Sequence, residues 1–207
     1  RYVDNYYIHK VKISLLHNWS VVWGNNQKIE FRNLFVQQGK NQVIDRDGYN
    51  YYGGQYVKGI GMYYGSQSIY SGQLAGNNSF NNSHSKITWN IGYSITSKVE
   101  PDSKMISRVR NDNEGEYYHQ YMLNISFAPT SQFCGRVFSE LDENIISSNI
   151  QLEQKIFIND FKPVLKTGLY FENKNRSYSV RNIGYIYANP AQFDYNIGYL
   201  PANEIFS

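Results

Sequence analysis

The feature that most constrains this chain is a two-residue alternation sustained from 86 to 97, KITWNIGYSITS. Ile87, Trp89, Ile91, Tyr93 and Ile95 fall on one side, and Lys86, Thr88, Asn90, Gly92, Ser94 and Thr96 on the other. Successive side chains of a strand point to opposite faces, so the segment reads as a strand of a sheet with one apolar and one polar face. Residues 11–23 repeat the pattern, with Val11, Ile13, Leu15, Trp19, Val21 and Trp23 opposite Lys12, Ser14, Asn18 and Ser20. So do 146–158, with Ile146, Ile150, Leu152, Ile156 and Ile158 opposite Ser147, Asn149, Gln151, Glu153 and Lys155. Residues 117–127 follow with Tyr117, Tyr121, Leu123, Ile125 and Phe127 on one face.

Weaker alternations at 28–38, 56–76, 132–142 and 162–178 fill the gaps, giving an expectation of eight strands and no helix. The stretch 56–76 blurs through several Gly and Ser, as at a bulge. Composition agrees with sheet. Aromatic residues make up 16% of the 207 residues, with 20 Tyr, and the 41% hydrophobic share can build a substantial core. Charged residues are thin at 18%, against about 25% in a typical soluble domain.

These numbers exclude several classes. Twenty basic and 17 acidic side chains give a net charge of +3, with no Lys/Arg-rich block, so no nucleic-acid partner is expected. Cys134 is the single cysteine, which leaves no internal disulfide and no multi-cysteine zinc site. No run of eighteen apolar residues exists for a transmembrane helix, whereas a transmembrane β-strand signals itself by alternation. The chain starts at Arg1 without Met or a signal peptide, as a processed or truncated piece does.

Strand length then separates two all-β architectures. Globular strands usually run to about five or six residues, and the alternations here run to about ten to fifteen. A strand of about eleven residues tilted near 45° crosses a bilayer's hydrocarbon core. Connectors point the same way: 24–27, 77–83, 128–131 and 157–161 read as short turns, and 39–55, 98–116 and 180 onward as long loops. A connector near Glu143 breaks that rule by also being short. Short turns on one side and longer loops on the other mark an outer-membrane barrel. The apolar phase of the four best strands carries no Asp, Glu, Lys or Arg, only His17, His119 and Gln154. A soluble sandwich with a dry core would also do this. Strand length and loop alternation favour the barrel.

Several pieces resemble barrel segments of TonB-dependent receptors of the Bacteroidota. They are Glu30-Phe31-Arg32-Asn33-Leu34-Phe35 after an Asn turn, Ser68-Ile69-Tyr70-Ser71-Gly72-Gln73-Leu74-Ala75-Gly76, and Trp89-Asn90-Ile91-Gly92-Tyr93. Phe161-Lys162-Pro163, Lys166-Thr167-Gly168-Leu169-Tyr170-Phe171-Glu172, Arg181-Asn182-Ile183-Gly184-Tyr185 and the tail Leu200-Pro201-Ala202-Asn203-Glu204-Ile205-Phe206 continue the series. The resemblance implies an outer-membrane transporter with a 22-stranded antiparallel barrel and an N-terminal plug, energised by the TonB complex. It further implies contact with outer-membrane lipid and, in relatives of the SusC type, a SusD-like surface lipoprotein as lid. On that footing residues 1–207 are a single mid-barrel region, with the plug, the TonB-interacting segment and the remaining strands not in this sequence.

Catalytic signals are poor, and neither an enzyme nor a cofactor is expected. His9, His17, His84 and His119 are scattered, with no metal-binding spacing. Gly59-Ile60-Gly61 with Gly65 misses the dinucleotide fingerprint and sits in strand context. Asp45-Arg46-Asp47-Gly48 echoes half a calcium loop but lacks the third acidic ligand and distal Glu, and Asp112-Asn113-Glu114-Gly115-Glu116 is a second acidic cluster. Both read as solvated loop charge. The aromatic stretch 49–56 contains Tyr49, Tyr51, Tyr52 and Tyr56 with Gly53, Gly54 and Gln55, and 183–199 contains Tyr185 and Tyr187. Tyr offers an apolar face and a polar tip, which suits a ligand or partner and equally a girdle at a membrane boundary. The expected function is therefore uptake of a glycan, peptide or metal chelate across an outer membrane, the alternative being a secreted or surface adhesin without transport activity.

Overall fold

A computed structural model of the chain describes residues 1–24, 27–80, 84–111, 120–158, 161–189, 192 and 194–205. They form strands β1 (Tyr2–Trp23), β2 (Gln27–Asn50), β3 (Gln55–Phe80), β4 (Ser85–Asn111), β5 (Met122–Leu123), β6 (Cys134–Lys155) and β7 (Val164–Gly184). A 3-10 turn (Tyr195–Tyr199) and a one-turn helix α1 (Ala202–Ile205) follow. All strands belong to one antiparallel sheet in the order β1-β2-β3-β4-β6-β7, with β5 paired beside β4. The sheet is open, with β1 and β7 as its two edges. The all-β expectation stands at this level; the described residues form no closed barrel.

The six long strands hold 21 to 27 residues each, or about 70–90 Å at the rise of an extended chain. Sequence alternation understated them. The expected loops at 39–55 and 98–116 are mostly strand: β2 runs to Asn50, β4 to Asn111, and only Tyr51 to Gly54 turn between β2 and β3. Gly54 takes a positive φ of 62°, which glycine adopts without steric cost. No connector exists at Glu143, because 132–142 and 146–158 belong chiefly to one strand, β6. The strand expected at 117–127 reduces to Met122–Leu123, with 117–119 outside the described residues. Eight expected strands thus become six long ones and one of two residues.

One bulge reorganises the faces. Glu100 pairs with Ser139 and Ser103 with Val137, so Pro101 and Asp102 together face a single residue, Phe138. Proline lacks the ladder donor and is tolerated at such a site. The extra residue switches the phase of β4. Before it the odd residues share a face with Leu74 and Tyr70; beyond it the even residues Lys104, Ile106 and Arg108 do, opposite Met62, Ile60 and Lys58.

Little is buried. Among the described residues the buried hydrophobic core is Ile106, Leu123 and Cys134, with Ile125, Tyr185 and Ile205 packed against it. Arg108 fastens the chain end here, its Nε donating to the Gly198 carbonyl at 3.2 Å and its Nη2 to the Leu200 carbonyl at 2.6 Å. On the other face the connection before β6 lies directly on the sheet. A Cβ at Gly184 would sit 2.2 Å from the Thr130 nitrogen and one at Gly135 2.6 Å from Ser131 Cα, so both positions need glycine.

Candidate functional site

The cross-strand pairs join the apolar phases of all six long strands into one continuous belt. Trp19, Phe31, Leu74 and Ile91 follow one another along a single row, continued by Ser148 and Phe171. The next row holds Val21, Ile29, Gly76, Trp89, Ile150 and Leu169. Over 13–23, 27–37, 68–78, 87–95, 144–152 and 167–175 this face carries no Asp, Glu, Lys or Arg. Nothing among the described residues covers it: Ile91 is 50% exposed, Trp19 57% and Leu169 77%. A soluble domain does not normally leave so large an apolar surface bare.

The belt also slants. Its upper margin lies at Val11 on β1, Phe35 on β2, Tyr70 on β3, Ile95 on β4, Ile146 on β6 and Phe171 on β7. Val11 pairs with Gly39, two same-face positions above Phe35; Ile95 pairs with Asn144, one above Ile146; and Ile146 pairs with Asn173, one above Phe171. Those steps amount to about 27 Å along the strands against about 24 Å across them, a slope of roughly 45–50°. Strands tilted across a horizontal apolar layer produce such a slant.

The opposite face concentrates the charge. Glu30 accepts from both Lys28 and Arg32. Glu143 lies 2.9 Å from Lys174 and 2.5 Å from Arg176, and Glu153 pairs with Lys166 at 3.1 Å. Asn18, Gln73, Asn90, Ser147 and Asn149 fill the spaces between.

Above the belt the expected binding tyrosines divide. The Tyr49 ring meets Tyr51 at 5.0 Å and Tyr56 at 4.8 Å, both edge-on. Arg110 stacks over Tyr56 at 4.5 Å and over Tyr121 at 5.2 Å, and Lys58 lies 4.9 Å from the same Tyr121 ring. These cations and Tyr121 were not singled out from the sequence, because their meeting depends on pairing between β3, β4 and the segment before β5. Tyr52 stands fully exposed at the turn. Tyr185 leaves the group to pack against the small core, and Tyr187 lies beyond the end of β7.

The calcium-like run 45–48 is strand. Arg46 points to the polar face and holds Asp4 at 2.8 and 2.9 Å, while Asp47 lies 3.6 Å from Lys58. The Arg46 guanidinium keeps the Asp4 carboxyl below its ordinary range. The second cluster, 112–116, and His119 lie outside the described residues. Among the described residues no group of three or more His, Cys, Asp or Glu could hold a metal ion. Cys134 is buried, and burial raises its thiol pKa. A low-pKa, exposed thiol would be needed for reactivity.

No helix among the described residues is long and apolar enough to cross a membrane, a finding that does not bear on crossing by strands. Comparison with known proteins found no matching family model and no matching curated protein.

Proposed function

We propose that this chain forms part of the wall of an outer-membrane β-barrel of the TonB-dependent receptor type, in which it serves nutrient uptake. The belt face meets lipid hydrocarbon, the charged and amide-rich face lines a wet interior, and the strand extensions above the belt rise beyond the membrane. The observation that carries this reading is the slanting, charge-free belt on six consecutive strands. A sandwich core has to be covered by a second sheet, whereas a lipid-facing belt needs only hydrocarbon. Two long unpaired edges, β1 and β7, call for further strands to close the wall. Resemblance of the barrel segments named above supplies the transporter class.

The test is fractionation. The protein is expected in the outer membrane, extracted only by detergent. Recovery as a soluble monomer without detergent would overturn the reading.

A further inference from the structure

The belt row through Trp19, Phe31, Leu74, Ile91, Ser148 and Phe171 has one small member, Ser148. There the belt face is indented by a furrow of about 610 Å³, lined by Trp89, Ile91, Ser148, Ile150, Leu169 and Phe171. Asn90, Asn149 and Tyr170 also border it, from positions whose side chains belong to the opposite face. Ser148 is half-buried at the floor, while Ile91, Ile150, Leu169 and Phe171 stand exposed around it. The Trp89 ring leans away over Gly76 on β3 and leaves the lower end open.

The furrow has a direction. Tyr93 is opposite Ile146, so Ile146 stands one same-face position higher on β6 than Ile91 on β4. Ile150 is opposite Leu169, so Phe171 stands one position higher on β7 than Ile150 on β6. Ile91–Ile146 and Ile150–Phe171 are thus parallel ridges with Ser148 midway between them. Each climbs about 6.7 Å while crossing about 4.8 Å, within about 20° of perpendicular to the slanting belt. Along that line the floor runs from Trp89 through Ser148 to Asn173, about 16 Å. Half of a ~30 Å hydrocarbon core is about 15 Å. The furrow therefore spans one leaflet, from mid-belt to its upper margin. The ridges lie about 8 Å apart, too close to admit a helix about 10–12 Å wide. A hydrocarbon chain fits between them.

We infer that this furrow retains one acyl chain of a bilayer lipid, packed over Ser148 between the two ridges, with its ester carbonyl accepting from the Asn173 amide at the upper margin. The first belt-face positions above the margin are Asn144, Asp142 and Glu140 on β6 and Asn173, Asn175 and Ser177 on β7, with no cation to hold a phosphate. The chain and its ester are recognised, not a charged headgroup. The inference rests on the lipid-facing reading of the belt and sets this one place apart from the rest of it.

The test uses the protein in phosphatidylcholine liposomes with a trace of the same lipid carrying a diazirine in one acyl chain, irradiated and mapped by mass spectrometry. Labelling should concentrate on 89–91, 148–150 and 169–171, about tenfold above Phe31 and Leu74. Ser148→Phe, which fills the furrow, should reduce it to the level of the rest of the belt, and Ser148→Ala, which keeps it open, should not. Asn173→Leu should lower it about threefold or more through the lost hydrogen bond. Phosphatidylglycerol with the same labelled chain should react equally. Even labelling around the belt, labelling unaffected by Ser148→Phe or by Asn173→Leu, a preference for phosphatidylglycerol, or cross-links between protein copies in place of lipid at the furrow would overturn the inference. No lipid labelling anywhere on the belt would instead overturn the lipid-facing reading beneath it, so the two failures are distinct.

Discussion

Trp89 lies across Gly76, its direct cross-strand partner on β3, and donates its indole N–H to Asn78 Oδ1 at 3.1 Å. A Cβ at position 76 would come within 2.2 Å of the ring. The indole thus replaces a missing side chain on the belt, as aromatic cover does for strand glycines in designed sheets.

Gly76→Val should therefore push the ring off the sheet, with a cost of order 1–3 kcal/mol from overpacking and a shift in tryptophan emission. Gly39→Val is the control, since nothing lies within 4 Å of a Cβ there. Equal stability of the two variants, with unchanged emission, would contradict the Trp89–Gly76 contact.

The bulge gives a second prediction. Deleting Pro101 leaves Asp102 alone opposite Phe138 and removes the bulge, while Ile106 keeps its place opposite Cys134 on the same face. Cys134 should therefore label with a polar maleimide as slowly as in the unaltered protein. Labelling about tenfold faster or more would mean that the bulge is needed to hold Ile106 over Cys134.

A third concerns acid. Well above the belt, Arg136 donates to Asp102 through Nε and Nη2, both at 2.8 Å, and Lys104 lies 3.3 Å away. The hydrogen bond from Arg136 is the main cause holding the Asp102 carboxyl below its usual value. A depressed folded-state pKa contributes stability above the unfolded value, about 3.9, which is lost as pH falls through the folded one. Asp102→Asn should accordingly lower stability at pH 7 and flatten its pH dependence below about pH 4. Identical acid unfolding curves would show that the pair contributes nothing.

How much of this was legible in the sequence follows from what sets each feature. The belt faces of 11–23, 86–97 and 146–155 were readable because alternation is local, and each assigned residue lies on its expected side. The upper halves of β2 and β4 were not. Gly39, Gly48 and the Asp45-Arg46-Asp47 run imitate a loop, and Pro101 breaks the period just where β4 changes phase. Pairing with neighbours decides those segments. The tyrosine-rich stretch was legible, but the pairs Arg110–Tyr121 and Arg46–Asp4 form through register, on opposite faces, and leave no mark in sequence spacing.

Charge placement tests the two faces. Ile91 lies mid-belt and Asn90 on the other face, opposite Asn149. If the belt meets hydrocarbon, Ile91→Arg should destabilise the protein by about 2–4 kcal/mol in liposomes, with Asn90→Arg costing far less. Equal penalties would contradict the assignment of faces.

The most direct measurement of the central claim places a fluorophore at position 91 and, separately, at position 90, each on a cysteine in a Cys134→Ser background, in liposomes containing lipids brominated at defined depths. Strong quenching at 91 by groups deep in the acyl chains, with position 90 quenched only by aqueous iodide, is the predicted result. Iodide access to 91, or no quenching there by any lipid, would contradict a lipid-facing belt.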